Sequence, residues 1–161
     1  KAPNKSGNNH PILAPYGIFQ TSDGEVAVAP ASDKFCNIFL ECIDLTNLLE
    51  NNLYKNNANR MKNRESLNEI INKKMKTKTS QYWIHILNEA GCPAAKIVSL
   101  PDALNSQLIK DNEMVINSNG PEGRNIKMTG FPVKLSETPA KLFRSPPLLG
   151  EHTEEILKRF K

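Results

Sequence analysis

The sequence of 161 residues holds no run of about 18 consecutive apolar residues, so nothing in it reads as a transmembrane helix. It has no Cys-x-x-Cys pair and no Cys/His spacing suited to metal ligation, and no metal ligands are assigned. A phosphate-binding glycine loop, a G-x-G-x-x-G turn and a nucleophile elbow are all missing. The opening residues, KAPNKSGNNHP, have no apolar core and do not read as a signal peptide. They also lack an initiator Met, and the expectation is that the numbering starts inside a longer chain. Aromatics make up only 6% of the residues, which is lean but still within a globular composition.

What is present is a modestly basic, globular composition: 39% hydrophobic residues and a net charge of +4. The excess is local. Residues 55–78 carry eight Lys/Arg and two Glu, a net +6, without interleaved aromatics or a nucleic-acid motif. A solvated helix face explains this better than a phosphate-rich partner. Three cysteines, an odd number, fit free buried thiols in a reducing compartment, and the expected location is cytoplasmic.

Local patterns predict an α+β module. Residues 14–30, APYGIFQTSDGEVAVAP, alternate apolar and polar around Ser22-Asp23-Gly24 and read as an antiparallel hairpin. Asp23 is explained there by turn chemistry. Ser32 or Asp33 caps a helix whose stripe is Phe35, Ile38, Phe39, Cys42 and Ile43. A polar, Asn-rich connection with one helical turn follows. A second helix carries Leu67, Ile70, Ile71 and Met75 on one face. A third, capped by Thr79 or Ser80, buries Trp83, Leu87 and Ala90 beside Ile86 and stops at Gly91 and Pro93. His85 stands off that stripe and reads as a surface residue. Residues 94–100 form a short strand, residues 101–112 a helix opened by Pro101, and residues 114–130 a second hairpin. Beyond Gly130 the proline-rich FPVKLSETPAKLFRSPPLLG reads as an extended arm, and EHTEEILKRF as a closing helix. In that tail the acids Glu151, Glu154 and Glu155 come first and the bases Lys158, Arg159 and Lys161 last. This order suits a helix dipole better than an acid–base site built on His152.

Five stretches, in order and at this spacing, resemble the C-terminal part of a class III CoA-transferase (the CaiB/BaiF family). They are GNNHPILAPYGIFQTSDGEVAVA, the N-x-x-R of Asn57 to Arg60, the W-x-x-x-L-x-x-A-G-x-P of Trp83 to Pro93, FPVKLSETP and PPLLGEHTEEIL. The resemblance implies an enzyme that moves CoA between carboxylic acids through an aspartyl-CoA intermediate. Acyl-CoA and a carboxylic acid would be its partners, in an interlocked homodimer or with a separate N-terminal chain. It implies a linker at residues 1–13 from a large N-terminal domain, a small α+β domain at residues 14–129, and an arm and terminal helix at residues 130–161 that return to the large domain. The family's catalytic aspartate and most of its CoA contacts lie upstream of this stretch, so no catalytic residue is assigned here. No cofactor is expected on this part; the CoA thioester is a substrate of the full enzyme. In the formyl-CoA branch a glycine-rich loop covers the reacting centre where this chain has HPILAPYG, with one glycine, which makes oxalate–formate exchange doubtful. His10, Ile12, Ala14, Tyr16 and Gly17 are the expected lining of the acyl end of the pocket.

Two other readings stand beside this one. The racemase branch of the same family epimerises 2-methylacyl-CoA esters, although HPILAPYG and FPVKLSETP lean towards the transferases. Alternatively, the chain is a non-catalytic dimerisation fragment, with Leu142, Phe143, Leu148 and Leu149 exposed and prone to self-association.

Overall fold

The computed structural model describes residues 5–160, and of Glu122 the backbone only. The chain divides into two compact units, Lys1–Ile97 and Val98–Lys161. Both mix helices with small antiparallel sheets, as an α+β sequence should.

The first unit starts from the predicted hairpin. Strands β1 (Gly17–Gln20) and β2 (Glu25–Val28) pair antiparallel, Phe19 opposite Val26 and Gly17 opposite Val28. That register puts Phe19, Val26 and Val28 on one buried face. A third strand, β3 (Ala94–Lys96), adds to the free edge of β2. It is shorter than expected because Ser99 leaves the strand to cap the next helix, accepting from the Asp102 N–H at 3.2 Å.

Helix α1 (Asp33–Cys42) begins at Ser32, whose hydroxyl accepts the Phe35 N–H. Its buried line is Cys36, Phe39, Leu40 and Ile43, with Phe35, Ile38 and Cys42 flanking it. The face is therefore turned by about one residue from the predicted stripe. Phe39 packs against Phe19 of the sheet with ring centroids 5.7 Å apart and the planes tilted by 38°. A one-turn helix α2 (Asn47–Glu50) follows. The connection after it is not only polar coil, because α3 (Asn57–Lys62) forms where Asn56 accepts the Asn59 N–H. Asn is poor inside helices for the same reason it is good at their start.

Helix α4 (Arg64–Met75) buries Leu67, Ile71 and Met75 and lies against β1. Helix α5 (Ser80–Glu89) buries Trp83 and Leu87 and lies against β2 and β3. It ends in a Schellman motif: Gly91, at φ 79°, donates to the Asn88 carbonyl at 2.9 Å and Cys92 donates to Leu87 at 2.8 Å. Ala90 is exposed, since it sits at the cap rather than in the stripe. His85 is exposed as well. Asp23 does more than shape its turn. Its carboxylate accepts the Ser80 N–H at 2.6 Å and the Ser80 hydroxyl at 2.8 Å, tying the hairpin to the start of α5. The Ser80 N–H, then its hydroxyl, hold that carboxyl below the ordinary carboxylate range.

In the second unit the predicted single helix is two. Helices α6 (Leu100–Asn105) and α7 (Gln107–Asp111) break at Ser106, an extended residue whose hydroxyl accepts the Ile109 N–H. The second hairpin, β4 (Val115–Asn119) and β5 (Asn125–Thr129), runs in register from Val115–Thr129 to Asn119–Asn125. Residues 130–150 form no regular element, and the closing helix α8 covers only Thr153–Leu157, continued by a 3₁₀ turn at Lys158–Phe160. Leu142, Phe143, Leu148 and Leu149 are exposed, Leu149 fully.

An ion-pair cluster ties the arm to α8. Arg144 grips Glu155 with two bonds of 2.9 Å, and Arg159 adds a third at 2.7 Å. The Arg144 guanidinium, more than Arg159, holds the Glu155 carboxyl down to about 2 from its ordinary 4.5. A depressed folded value means the link is at full strength above about pH 4.5 and fades as pH falls through about 2. Carboxyl-detected NMR is expected to show Glu155 titrating near 2, and nearer its ordinary value in Arg144→Ala. An ordinary titration in the unsubstituted chain would mean that Arg144 does not hold it.

Candidate substrate-facing loop

The segment before β1, residues 6–16, is polar and proline-containing and has no regular structure, yet from His10 to Ala14 most of its main-chain groups are paired. Beside bonds within the segment, the partners come from one line of side chains on α3 and α4. The Asn57 side chain grips the loop twice, accepting the Ala14 N–H at 3.0 Å and donating to the Ile12 carbonyl at 2.9 Å. Arg60 donates from Nε to the Ala14 carbonyl at 2.6 Å. Arg64 donates to the carbonyls of His10 at 2.7 Å and Leu13 at 3.0 Å. Asn68 reaches the Asn9 side chain at 3.1 Å. Spacings of three, four and four place these residues on one helical face across the α3–α4 junction.

Arg60 is the deepest of them, 2% exposed. Its remaining donors go to the Tyr54 carbonyl at 3.2 Å and to Asp33. A buried guanidinium is tolerable only when its fork is satisfied in this way. The reading of residues 55–78 as a solvated face is therefore corrected at two positions. Arg60 and Arg64 face the loop, where their fixed forks can each reach backbone carbonyls.

The five expected lining residues fall in distinct places. The His10 and Tyr16 rings stack 4.7 Å apart, with the His10 N–H donating to the Tyr16 carbonyl at 2.8 Å. The His10 Nδ1 accepts the Ile12 N–H at 3.3 Å. Ile12 is 68% exposed, whereas Ala14 is 3% exposed and turned to the clamp. Gly17 opens β1 at a close approach: a Cβ there would lie 2.8 Å from the Asn9 Oδ1 and 3.1 Å from the Asn8 carbonyl. The fold thus brings His10, Ile12 and Tyr16 together on one loop. It gives Ala14 and Gly17 to the loop's support. A shallow depression of about 300 Å3 beside Tyr16 is lined by Ala27, Val28, Ala29, Asn88, Pro93, Ala94 and Ala95.

The clamp residues were not among the expected site residues. Asn57 and Arg60 stood in the sequence as the N-x-x-R element, and the signal that extends it is Arg64 and Asn68 on the same helical face.

The three cysteines are free. Burial pushes the Cys36 and Cys92 thiols up to about 11, which leaves them unreactive. Among the described residues no three His, Cys, Asp or Glu are grouped to hold a metal ion, and no helix is long and apolar enough to cross a membrane.

Residues 1–153 match the model of CoA-transferase family III, and the chain belongs to that family. It is 28% identical over 152 residues to the succinyl-CoA:glutarate CoA-transferase of Homo sapiens, covering 94% of this chain and 35% of that protein. It is 32% identical over 158 residues to the succinyl-CoA:mesaconate CoA-transferase of Haloarcula hispanica, covering 98% of this chain and 39% of that protein. Its fold matches the crystal structure of a CaiB/BaiF family protein from Brucella suis, with a TM-score of 0.73 and 25% identity, over 100% of this chain and 41% of the other. The chain thus spans well under half the length of the relatives it matches.

Proposed function

We propose that this chain is the C-terminal part of a CoA-transferase that moves CoA between carboxylic acids, with the catalytic aspartate outside these 161 residues. The observation that carries the reading is the family match over residues 1–153, supported by two relatives named for succinyl-CoA as donor. In such a reaction an aspartate carboxylate attacks the donor thioester, giving a mixed anhydride and CoA thiolate. The thiolate then attacks the aspartyl carbonyl, which releases the first acid and leaves an aspartyl-CoA thioester. The acceptor acid repeats the two steps in reverse and departs as its CoA ester. Both intermediates hydrolyse in water, so the site needs walls.

This chain supplies part of those walls. The loop of His10, Ile12 and Tyr16 lines the acyl end, Ala14 and Gly17 hold its shape, and residues 130–161 return to the large domain as an arm. The protein works as a homodimer or with a separate N-terminal chain, in the cytoplasm.

An assay with succinyl-CoA and a panel of carboxylates tests this. The 161-residue chain alone is expected to show no turnover, and the protein extended by its N-terminal region to transfer CoA. Turnover by the chain alone would show that the catalytic groups lie elsewhere than proposed. Silence of the extended protein with every acid would overturn the reading itself. Replacing Ile12 and Tyr16 is expected to change the order of preference among acids; an unchanged order would remove the loop from the pocket.

A further inference from the structure

The hydrogen bonds of Asn57 and Arg64 to the loop go to its main chain. Together they account for the Ala14 N–H and for the carbonyls of His10, Ile12 and Leu13. The His10 N–H and the Ile12 N–H are used inside the loop. So most of the His10–Ala14 backbone is paired within the protein, while Ile12 stands 68% exposed and the His10–Tyr16 stack remains half-buried. A loop with no regular structure ordinarily samples many shapes, and fixing one residue's backbone costs about 1–2 kcal/mol. Bonds from helix side chains meet that cost before any ligand arrives.

We infer that Asn57 and Arg64 are positioning residues for acid recognition: they set which acid is preferred by fixing the loop's backbone, without contacting the acid. The inference rests on the reading of this loop as the acyl end of a CoA-transferase pocket. Arg60 shares the clamp but also holds Tyr54 and Asp33, so its removal disturbs the fold as well. Asn57 and Arg64 are half-buried, and Asn57→Ala puts a better helix former at the first position of α3.

The test uses the transferase carrying its N-terminal region, with succinyl-CoA as donor and two acceptor acids of different length. The quantity read is the ratio of kcat/KM for the two acids. That ratio does not depend on how much of a variant is folded, because lost active enzyme lowers both values equally. Asn57→Ala and Arg64→Ala are each expected to change the ratio by about tenfold, the scale expected when a loop shifts by a fraction of an ångström. Arg64→Lys, which keeps one cationic donor, should recover part of it. The control is Asn72→Ala, which removes a side-chain acceptor from the Gln20 N–H at 2.7 Å on the outer edge of β1 and should leave the ratio unchanged. In the isolated chain, hydrogen exchange at the Ala14 amide should quicken in Asn57→Ala. An unsubstituted enzyme that transfers CoA while both Ala variants keep its ratio overturns the positioning role. An Ala14 amide that exchanges at the same rate in Asn57→Ala overturns the clamp beneath it. No transfer by the unsubstituted enzyme instead fails the reading of the pocket, and the positioning role with it.

Discussion

Replacing Arg60 by Met is expected to destabilise the first unit by about 2–6 kcal/mol, because the buried carbonyls of Ala14 and Tyr54 each lose a charged donor at about 1–3 kcal/mol. Met retains most of the stem's packing, so the loss is mainly one of hydrogen bonds. The ion pair itself contributes much less. The Asp33 side chain is 70% exposed, and exposed pairs are worth about 0–1 kcal/mol, so Asp33→Asn should cost under about 1 kcal/mol. Arg60→Lys should fall between them, since a single ammonium cannot span both carbonyls and the carboxylate. Urea unfolding followed by the fluorescence of Trp83, the chain's one tryptophan, measures all three. Equal losses for Arg60→Met and Asp33→Asn would shift the weight to the ion pair and overturn this account.

The features legible in the sequence were those encoded within a few residues. Gly91 followed by Pro93 marked the end of α5, and the structure places a Schellman motif there. Ser22-Asp23-Gly24 marked the hairpin, and Ser32 and Thr79 marked helix starts. Competing local signals leave an element's bounds ambiguous. Ser106 was absorbed into one helix because its neighbours are helix-compatible, but its hydroxyl serves better as a cap. Asn56 was hidden among asparagines whose composition argued for coil. The stripe of α1 came out one residue off because periodicity fixes a face only to within the width of its apolar arc. Cys36 and Leu40 became the centre once Phe39 met Phe19.

The clamp was illegible for a different reason. Its bonds join residues 43 to 59 apart in sequence, and no period links an asparagine at 57 to an alanine at 14. Polar residues spaced 57, 60, 64 and 68 on one face do form a pattern, but in a lysine-rich stretch it looks like a solvated surface. The distinguishing clue is chemical: the members that turn inward are Asn and Arg, which can pair with backbone, and not Lys.

Trp83→Ala is expected to have an effect of similar size on the first unit, about 3–5 kcal/mol from the vacated volume, because the side chain is 2% exposed and lies among Met75, Leu87 and the sheet. It also loses a hydrogen bond. The indole Nε1 donates to the Met75 carbonyl at 2.7 Å, an acceptor in the last turn of α4 that has no later helical donor. Volume should outweigh the bond, since the same carbonyl keeps the Lys78 N–H at 3.3 Å when the indole is gone. Trp83→Phe is therefore expected to cost only about 1–3 kcal/mol, although it removes the indole donor as completely as alanine does. Folded domains are stable by about 5–15 kcal/mol, so the alanine variant should lose much of its cooperative transition, while the phenylalanine variant keeps one. Far-ultraviolet circular dichroism against urea reads both without needing the tryptophan. Equal losses in the two variants would mean that the bond from α5 to the end of α4, and not the filled core, holds these helices against the sheet.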